Sequence, residues 1–148
     1  MKIGILGCGV ISNTYIQEIQ RIYEKTLEIV AVADMDQARA KATAEKYQVP
    51  FALTVEELLA YKDIQLIVNL TPPMAHKELN MRILESGKHL FCEKPFALTV
   101  EDAQEVAQLA EEKGLYIGAA PDTFLTAPIQ SCRKLLEDGW IGKPLYVT

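Results

Sequence analysis

The chain has 148 residues, 49% hydrophobic and 24% charged, with a formal net charge of −5. That is the length of one domain with a sizeable core, and the acidic balance excludes the basic face that a nucleic-acid partner requires. No run of 18 apolar residues occurs, so no helical membrane span is expected.

Lys2 and the apolar residues up to Ile11 imitate the start of a secretory signal. Gly4, Gly7 and Gly9 break the run, however, and no small-residue cleavage site follows, so none is predicted. Ile3 to Leu6 reads as a buried strand that ends in the turn Gly7-Cys8-Gly9. Ile11, Tyr15, Ile19, Ile22 and Tyr23 then recur at helical spacing. Leu27 to Ala33 is a second, nearly all-apolar strand, as in a parallel sheet covered on both faces. It ends at Asp34, and Asp36 to Lys46 is helical by propensity. Val49-Pro50-Phe51 reads as a short third strand near an edge, because Pro50 cannot donate to a ladder. Thr54 and Glu57 form a capping box for a short helix reaching about Tyr61.

Ile64 to Leu70 is a fourth strand, stopped by Thr71-Pro72-Pro73. Ala75, Leu79 and Ile83 mark the inner face of a helix ending at Gly87. His89 to Cys92 is a fifth strand and leads into Glu93-Lys94-Pro95, where a cis Lys94–Pro95 bond is compatible with the sequence. Thr99 caps a helix with Ala103, Val106, Ala107 and Ala110 inward, stopped by Gly114. Leu115 to Gly118 is a sixth strand. After Pro121-Asp122-Thr123-Phe124, the residues Ile129, Cys132 and Leu136 predict a last helix ended by Gly139, and Leu145 to Thr148 reads as the start of a further strand. The alternation predicts an α/β fold: a doubly wound, mainly parallel six-stranded sheet in a single domain over residues 1–140, with 141–148 as a stub.

In such a sheet, ligands bind beyond the carboxyl ends of the strands. Those ends carry Gly7-Cys8-Gly9, Asp34, Thr71-Pro72-Pro73, Glu93-Lys94-Pro95 and Pro121-Asp122. Gly7 permits a tight turn and Gly9 a close approach of backbone to phosphate. Ser12 stands where a third small residue packs helix on strand, so the loop predicts a pyrophosphate site at a helix N-terminus. Asp34 lies 22 residues after Ser12, near the offset of an acid that binds ribose hydroxyls. A 2′-phosphate ~4 Å from it would cost about 4 kcal/mol at an effective dielectric of 20, so NAD is preferred over NADP. Arg39, one helical turn further, keeps NADP open.

Lys94 lies where the nicotinamide half of a dinucleotide would sit, with Glu93 beside it. The histidines His76 and His89 are 13 residues apart, outside zinc-ligand spacing, so no metal site is predicted. The odd count of three cysteines, Cys8, Cys92 and Cys132, predicts small buried residues in a reducing, cytoplasmic setting rather than a disulfide framework.

The motifs Gly7-Cys8-Gly9-Val10-Ile11-Ser12, Thr71-Pro72-Pro73-Met74-Ala75-His76, Gly87-Lys88-His89 and Glu93-Lys94-Pro95 resemble the N-terminal domain of the Gfo/Idh/MocA oxidoreductases over essentially the whole chain. The resemblance implies that Gly7, Gly9, Val10 and Ile11 cradle the pyrophosphate and Asp34 binds the adenosine ribose. It implies that Thr71, Pro72 and His76 line the cofactor groove. Glu93 and Lys94 would meet the nicotinamide ribose, and Lys94, the one catalytic residue expected in this chain, would also touch the reacting hydroxyl. The implied activity is hydride transfer between NAD(P) and a secondary alcohol or ketone of a sugar or cyclitol. The stretch Pro121-Asp122-Thr123-Phe124 matches one subgroup and leaves the substrate open. The family continues with a second domain that holds a catalytic Asp/His pair and the homo-oligomer interface. Gly142-Lys143-Pro144 resembles the crossing point, so this chain by itself is expected to bind cofactor without completing the reaction. The alternative is a non-catalytic NAD(P)-sensing or regulatory module.

Overall fold

The computed structural model describes residues 1–121 and 123–146. Six strands, β1 (Lys2–Leu6), β2 (Glu28–Ala33), β3 (Phe51–Leu53), β4 (Leu66–Asn69), β5 (His89–Cys92) and β6 (Ile117–Ala119), form one sheet in the order β3-β2-β1-β4-β5-β6. Every pairing is parallel. The order reverses between β1 and β4, which opens a crevice at the carboxyl ends of these two central strands.

Side-chain alternation divides the core into two layers. Ile3, Ile5, Ile29 and Val68 pack with Ile16 and Ile19 of α1 (Val10–Ile22) and Ala40, Ala44 and Tyr47 of α2 (Gln37–Tyr47). On the opposite face, Leu6, Val30, Ile67 and Leu90 pack with Leu58 of α3 (Val55–Ala60), Ile83 and Leu84 of α4 (His76–Glu85), and Val106 and Ala110 of α5 (Val100–Glu112). The predicted capping box heads α3: Thr54 Oγ1 accepts from the Glu57 amide at 3.2 Å, and Glu57 Oε2 accepts from the Thr54 amide at 2.8 Å.

The third and sixth strands each start two residues later than the sequence suggests, for the same reason. The residues just after α2 and α5 are spent closing those helices. Gln48 turns left-handed at φ 55° and Val49 N–H bonds Ala44 O at 2.9 Å; Gly114 turns at φ 64° and Leu115 N–H bonds Ala110 O at 2.8 Å. Three helix faces also differ from expectation. In α1 the buried residues are Ser12, Ile16 and Ile19, while Ile11, Ile22 and Tyr23 are exposed. In α4 they are His76, Asn80, Ile83 and Leu84, with Leu79 only partly buried. In α5, Val106 and Ala110 are buried but Ala107 is exposed. The last helix, α6 (Ala127–Glu137), has no buried residue, so Ile129, Cys132 and Leu136 do not form an inward face. Leu145 and Tyr146 are not in a strand; Asp122, Val147 and Thr148, which carried part of the sequence reading, lie outside the described residues.

Lys88 is buried in the lower part of the sheet, with its ammonium donating to the carbonyls of Tyr61 at 2.8 Å and Ile64 at 3.2 Å. Burial lowers its pKa from the usual lysine range. The unfolded chain therefore binds the proton more tightly, and stability should rise with pH as it climbs from the lowered value to the ordinary one. Lys88→Ala strands two carbonyls and should cost about 1–3 kcal/mol, read from urea unfolding at pH 7. An unchanged midpoint would show that those carbonyls find other donors.

Candidate functional site

The carboxyl ends of the strands bring the predicted residues to one edge. Gly7 leaves β1 at φ +98°, and a Cβ there would lie 2.8 Å from the carbonyl carbon and oxygen of Leu70 and 2.9 Å from the Thr71 nitrogen. The glycine is thus demanded both by its backbone angle and by the loop after β4. Gly9 differs: it has φ −74° and a Cβ built on it meets nothing within 4 Å. It faces open space at the start of α1, where no side chain caps the helix and the leading amides of Val10 and Ile11 are available. This opening fits a pyrophosphate, which needs free amides, the positive end of a helix dipole and a backbone it can approach. Ser12 is buried and its hydroxyl donates to Gly9 O at 2.7 Å. Its burial and this bond suit the packing of α1 on the sheet.

Asp34 ends β2 with a carboxylate only 7% exposed. One oxygen accepts the Cys8 amide at 2.8 Å and the other the Asp36 amide at 2.9 Å. The helix cap is Asp36, which accepts from the amides of Ala38 and Arg39. Asp34 is thereby released from capping and ties the glycine loop to the second strand. The Arg39 guanidinium stands 3.6 Å from Asp34 and 3.5 Å from Asp36 at the exposed mouth of this corner. Burial pushes the thiols of Cys8 and Cys92 up to about 11, so both stay protonated near neutrality. Cys132, expected to be buried, is exposed.

Beyond β5, Glu93 accepts from two directions. Its Oε2 receives the Lys94 amide at 2.8 Å and its Oε1 the Tyr15 hydroxyl at 2.8 Å from α1. Lys94 itself is exposed, followed by a cis bond to Pro95, and among the described residues its ammonium has no ion-pair partner. Thr71 and Pro72 follow β4, with Pro72 exposed. His76 departs from the expectation that it lines the groove. It has no exposed surface, and its ring nitrogens lie 2.6 Å from the carbonyls of Pro95 and Thr71. The sequence reading also missed Tyr15, taken for a core residue, and the buried asparagines Asn69 and Asn80. The signal for Asn69 was present: one amide inside the apolar run Leu66-Ile67-Val68-Asn69-Leu70.

A model of an oxidoreductase family with an NAD-binding Rossmann fold matches residues 1–120. The chain belongs to the Gfo/Idh/MocA family. It is 29% identical to the 1,5-anhydro-D-fructose reductase of Ensifer adhaerens over 96% of its own length and 42% of that protein's. It superposes on a putative myo-inositol dehydrogenase of Sinorhizobium meliloti with TM-score 0.84 at 28% identity, covering 96% of this chain and 42% of the other. It also matches the 3-ketoreductase of Actinomadura kijaniata, solved with NADP and TDP-benzene, with TM-score 0.86 at 26% identity, 94% of this chain and 42% of the other. The chain thus spans about two fifths of the length of these Gfo/Idh/MocA relatives. Its six-stranded parallel sheet is the NAD-binding Rossmann domain of the family, and no helix among the described residues is long and apolar enough to cross a membrane.

Proposed function

We propose that the chain is the nucleotide-binding part of an NAD(P)-dependent dehydrogenase acting on a secondary alcohol or ketone of a sugar or cyclitol. The observation that carries this reading is the placement of Lys94. It is an exposed ammonium without an ion-pair partner among the described residues, on a loop tethered to the strand ends that flank the dinucleotide crevice. A pure binding module has no need of a lysine there, whereas the alkoxide that forms as hydride reaches a carbonyl carbon, or that gives up hydride in the reverse direction, does. The bound nicotinamide would take up or supply the hydride. Glu93 would hold the nicotinamide ribose and Lys94 would donate to that ribose and to the substrate oxygen. The proton acceptor and most substrate contacts would belong to a second domain.

Such a domain has somewhere to pack. An apolar groove of about 600 Å³ on the α1 side of the sheet is lined by Ile22, Tyr23, Phe91, Tyr116 and Ile117, and Trp140 and Ile141 are exposed beyond α6. Protein expressed from the whole reading frame should reduce NAD with some member of a panel of cyclitols and sugars. Binding of NADH with no turnover across the panel would favour a cofactor-sensing module instead.

Cofactor choice would rest on the corner of Asp34 and Arg39. The Arg39 guanidinium is half exposed and its two carboxylate contacts are long, so turning it toward a 2′-phosphate would sacrifice little. Arg39→Ala should weaken NADPH binding by about tenfold or more, the worth of one charge-assisted phosphate contact, and leave NADH within twofold. Paired fluorescence titrations check this. Equal losses for both cofactors would remove Arg39 from the specificity site.

A further inference from the structure

We propose that His76, assisted by Asn80, is a positioning residue for Lys94: it fixes the loop that carries this lysine without itself reaching a ligand. The inference builds on the reading of Lys94 as the residue that meets the nicotinamide ribose.

Lys94 lies on irregular backbone, which has no ladder to hold it. Its upstream side is tied down by the sheet and by Glu93. The Glu93 amide bonds Asn69 O at 2.9 Å, and the Glu93 carboxylate accepts the Lys94 amide. On the downstream side Phe96 packs against the core, and among the described residues the backbone is hydrogen-bonded by side chains of α4. His76 Nδ1 stands 2.6 Å from Pro95 O, and Asn80 Nδ2 donates to Phe96 O at 3.3 Å. These are the first and second residues after Lys94. His76 and Asn80 are four apart, so they share one face of α4, and both have zero exposure.

The same two side chains grip the loop after β4. His76 Nε2 stands 2.6 Å from Thr71 O, and Asn80 Oδ1 accepts from Asn69 Nδ2 at 2.8 Å. Asn69 Oδ1 in turn accepts from the Thr71 amide at 3.2 Å and its hydroxyl at 2.6 Å. The result is a closed buried circuit that joins the two loops bounding the crevice beside the reversal of strand order. Burying an imidazole and two amides is unfavourable unless each is bonded, and among the described residues no buried side-chain nitrogen or oxygen lacks a partner. Apolar residues at 76 and 80 would pack α4 on the sheet equally well. What they would not do is bond the loop carbonyls, the support that a reacting side chain on a loop requires. The single N–H of a neutral His76 ring goes to one of the two carbonyls facing it, and Asn80 Nδ2 goes to Phe96 O.

A double-mutant cycle on NADH affinity tests this. His76→Asn and Lys94→Met should each weaken binding roughly tenfold, and the double variant should also lose roughly tenfold rather than a hundredfold, because the second change removes what the first had already misplaced. Asp34→Asn serves as the control: it follows β2, three strands from the Lys94 loop after β5 and roughly 14 Å away at ordinary strand spacing, and its effect should multiply with that of His76→Asn. Asn80→Ala, which removes the bonds to Phe96 O and from Asn69 Nδ2 but leaves His76 on Pro95 O, repeats the cycle in a milder form if His76→Asn does not fold. Multiplicative effects of His76 and Lys94, or a lower melting temperature with unchanged NADH affinity, would overturn the positioning role alone. A Lys94→Met variant that binds NADH like the parent would overturn both this role and the reading of Lys94 beneath it.

Discussion

Lys94→Met should lower kcat of the complete protein by about 100- to 1,000-fold, the usual loss when one preorganised donor to a developing oxyanion is removed. Met keeps the length and the apolar stem but has no ammonium. NADH affinity should fall much less, by about tenfold, because one bond to an uncharged ribose is lost in both ground and transition states. The expectation follows from how the loop is built. Lys94 has its amide fixed on Glu93, and Glu93 is fixed by the Tyr15 hydroxyl. The ammonium of Lys94 is the variable part of an otherwise tethered unit. Lys94→Arg keeps the charge but brings a planar fork in place of a compact donor, so it should recover less than a tenth of the lost kcat. Steady-state rates with the best substrate of the panel decide the matter. A kcat within threefold of the parent in Lys94→Met would reject the catalytic role.

Gly7→Ala and Gly9→Ala should both abolish tight NADH binding but by different routes. At Gly7 the added methyl would press into the backbone of Leu70 and Thr71 at 2.8–2.9 Å, with φ at +98°. A left-handed angle costs an L-residue roughly 1–2 kcal/mol before any clash is counted, and two strand ends must separate to make room. We expect a total loss near 3 kcal/mol or more, within the range of strained-backbone and overpacking variants, and at least a hundredfold loss in NADH affinity, since the clash displaces both loops at the crevice. At Gly9 the methyl meets no atom within 4 Å and the backbone angle suits any residue. Its stability should therefore be equal or slightly higher, by about 0.4–1 kcal/mol, because the unfolded chain loses freedom. Its methyl would occupy the space the pyrophosphate needs, so affinity should still fall at least tenfold by the loss of close phosphate contacts. Urea unfolding and NADH titration of both variants separate the two cases. A Gly9→Ala variant as unstable as Gly7→Ala would show that Gly9 serves the fold rather than the ligand.

The sequence already separates the two glycines, a tight turn at Gly7 and a phosphate approach at Gly9. What it did not show is the contact of Gly7 with Leu70 and Thr71, more than sixty positions along the chain. His76 carries the same lesson. Its sequence neighbours place it in a cofactor-lining motif, yet the return of the loop after β5 across it gives the ring two backbone carbonyls and no opening. Tyr15 lay in a stripe that reads as core, and only the packing of α1 on β5, where its ring meets Phe91, brings its hydroxyl to Glu93.

What the sequence determined by itself was the architecture and the edge at which chemistry gathers. Near-continuous apolar strands, helix caps such as Thr54 with Glu57, and the punctuating glycines and prolines are local signals. Hydrophobic periodicity and turn chemistry act over a few residues and can be read there. The tertiary structure decided which of the gathered residues face the crevice and which hold others in place. Ser12 and His76 went inward, Lys94 stayed exposed, and Asp34 was freed by Asp36 to bind the glycine loop. Two of those outcomes depend on hydrogen bonds between distant segments, Cys8 with Asp34 and His76 with Pro95, whose partners are set by the strand order and not by any stretch of the chain alone.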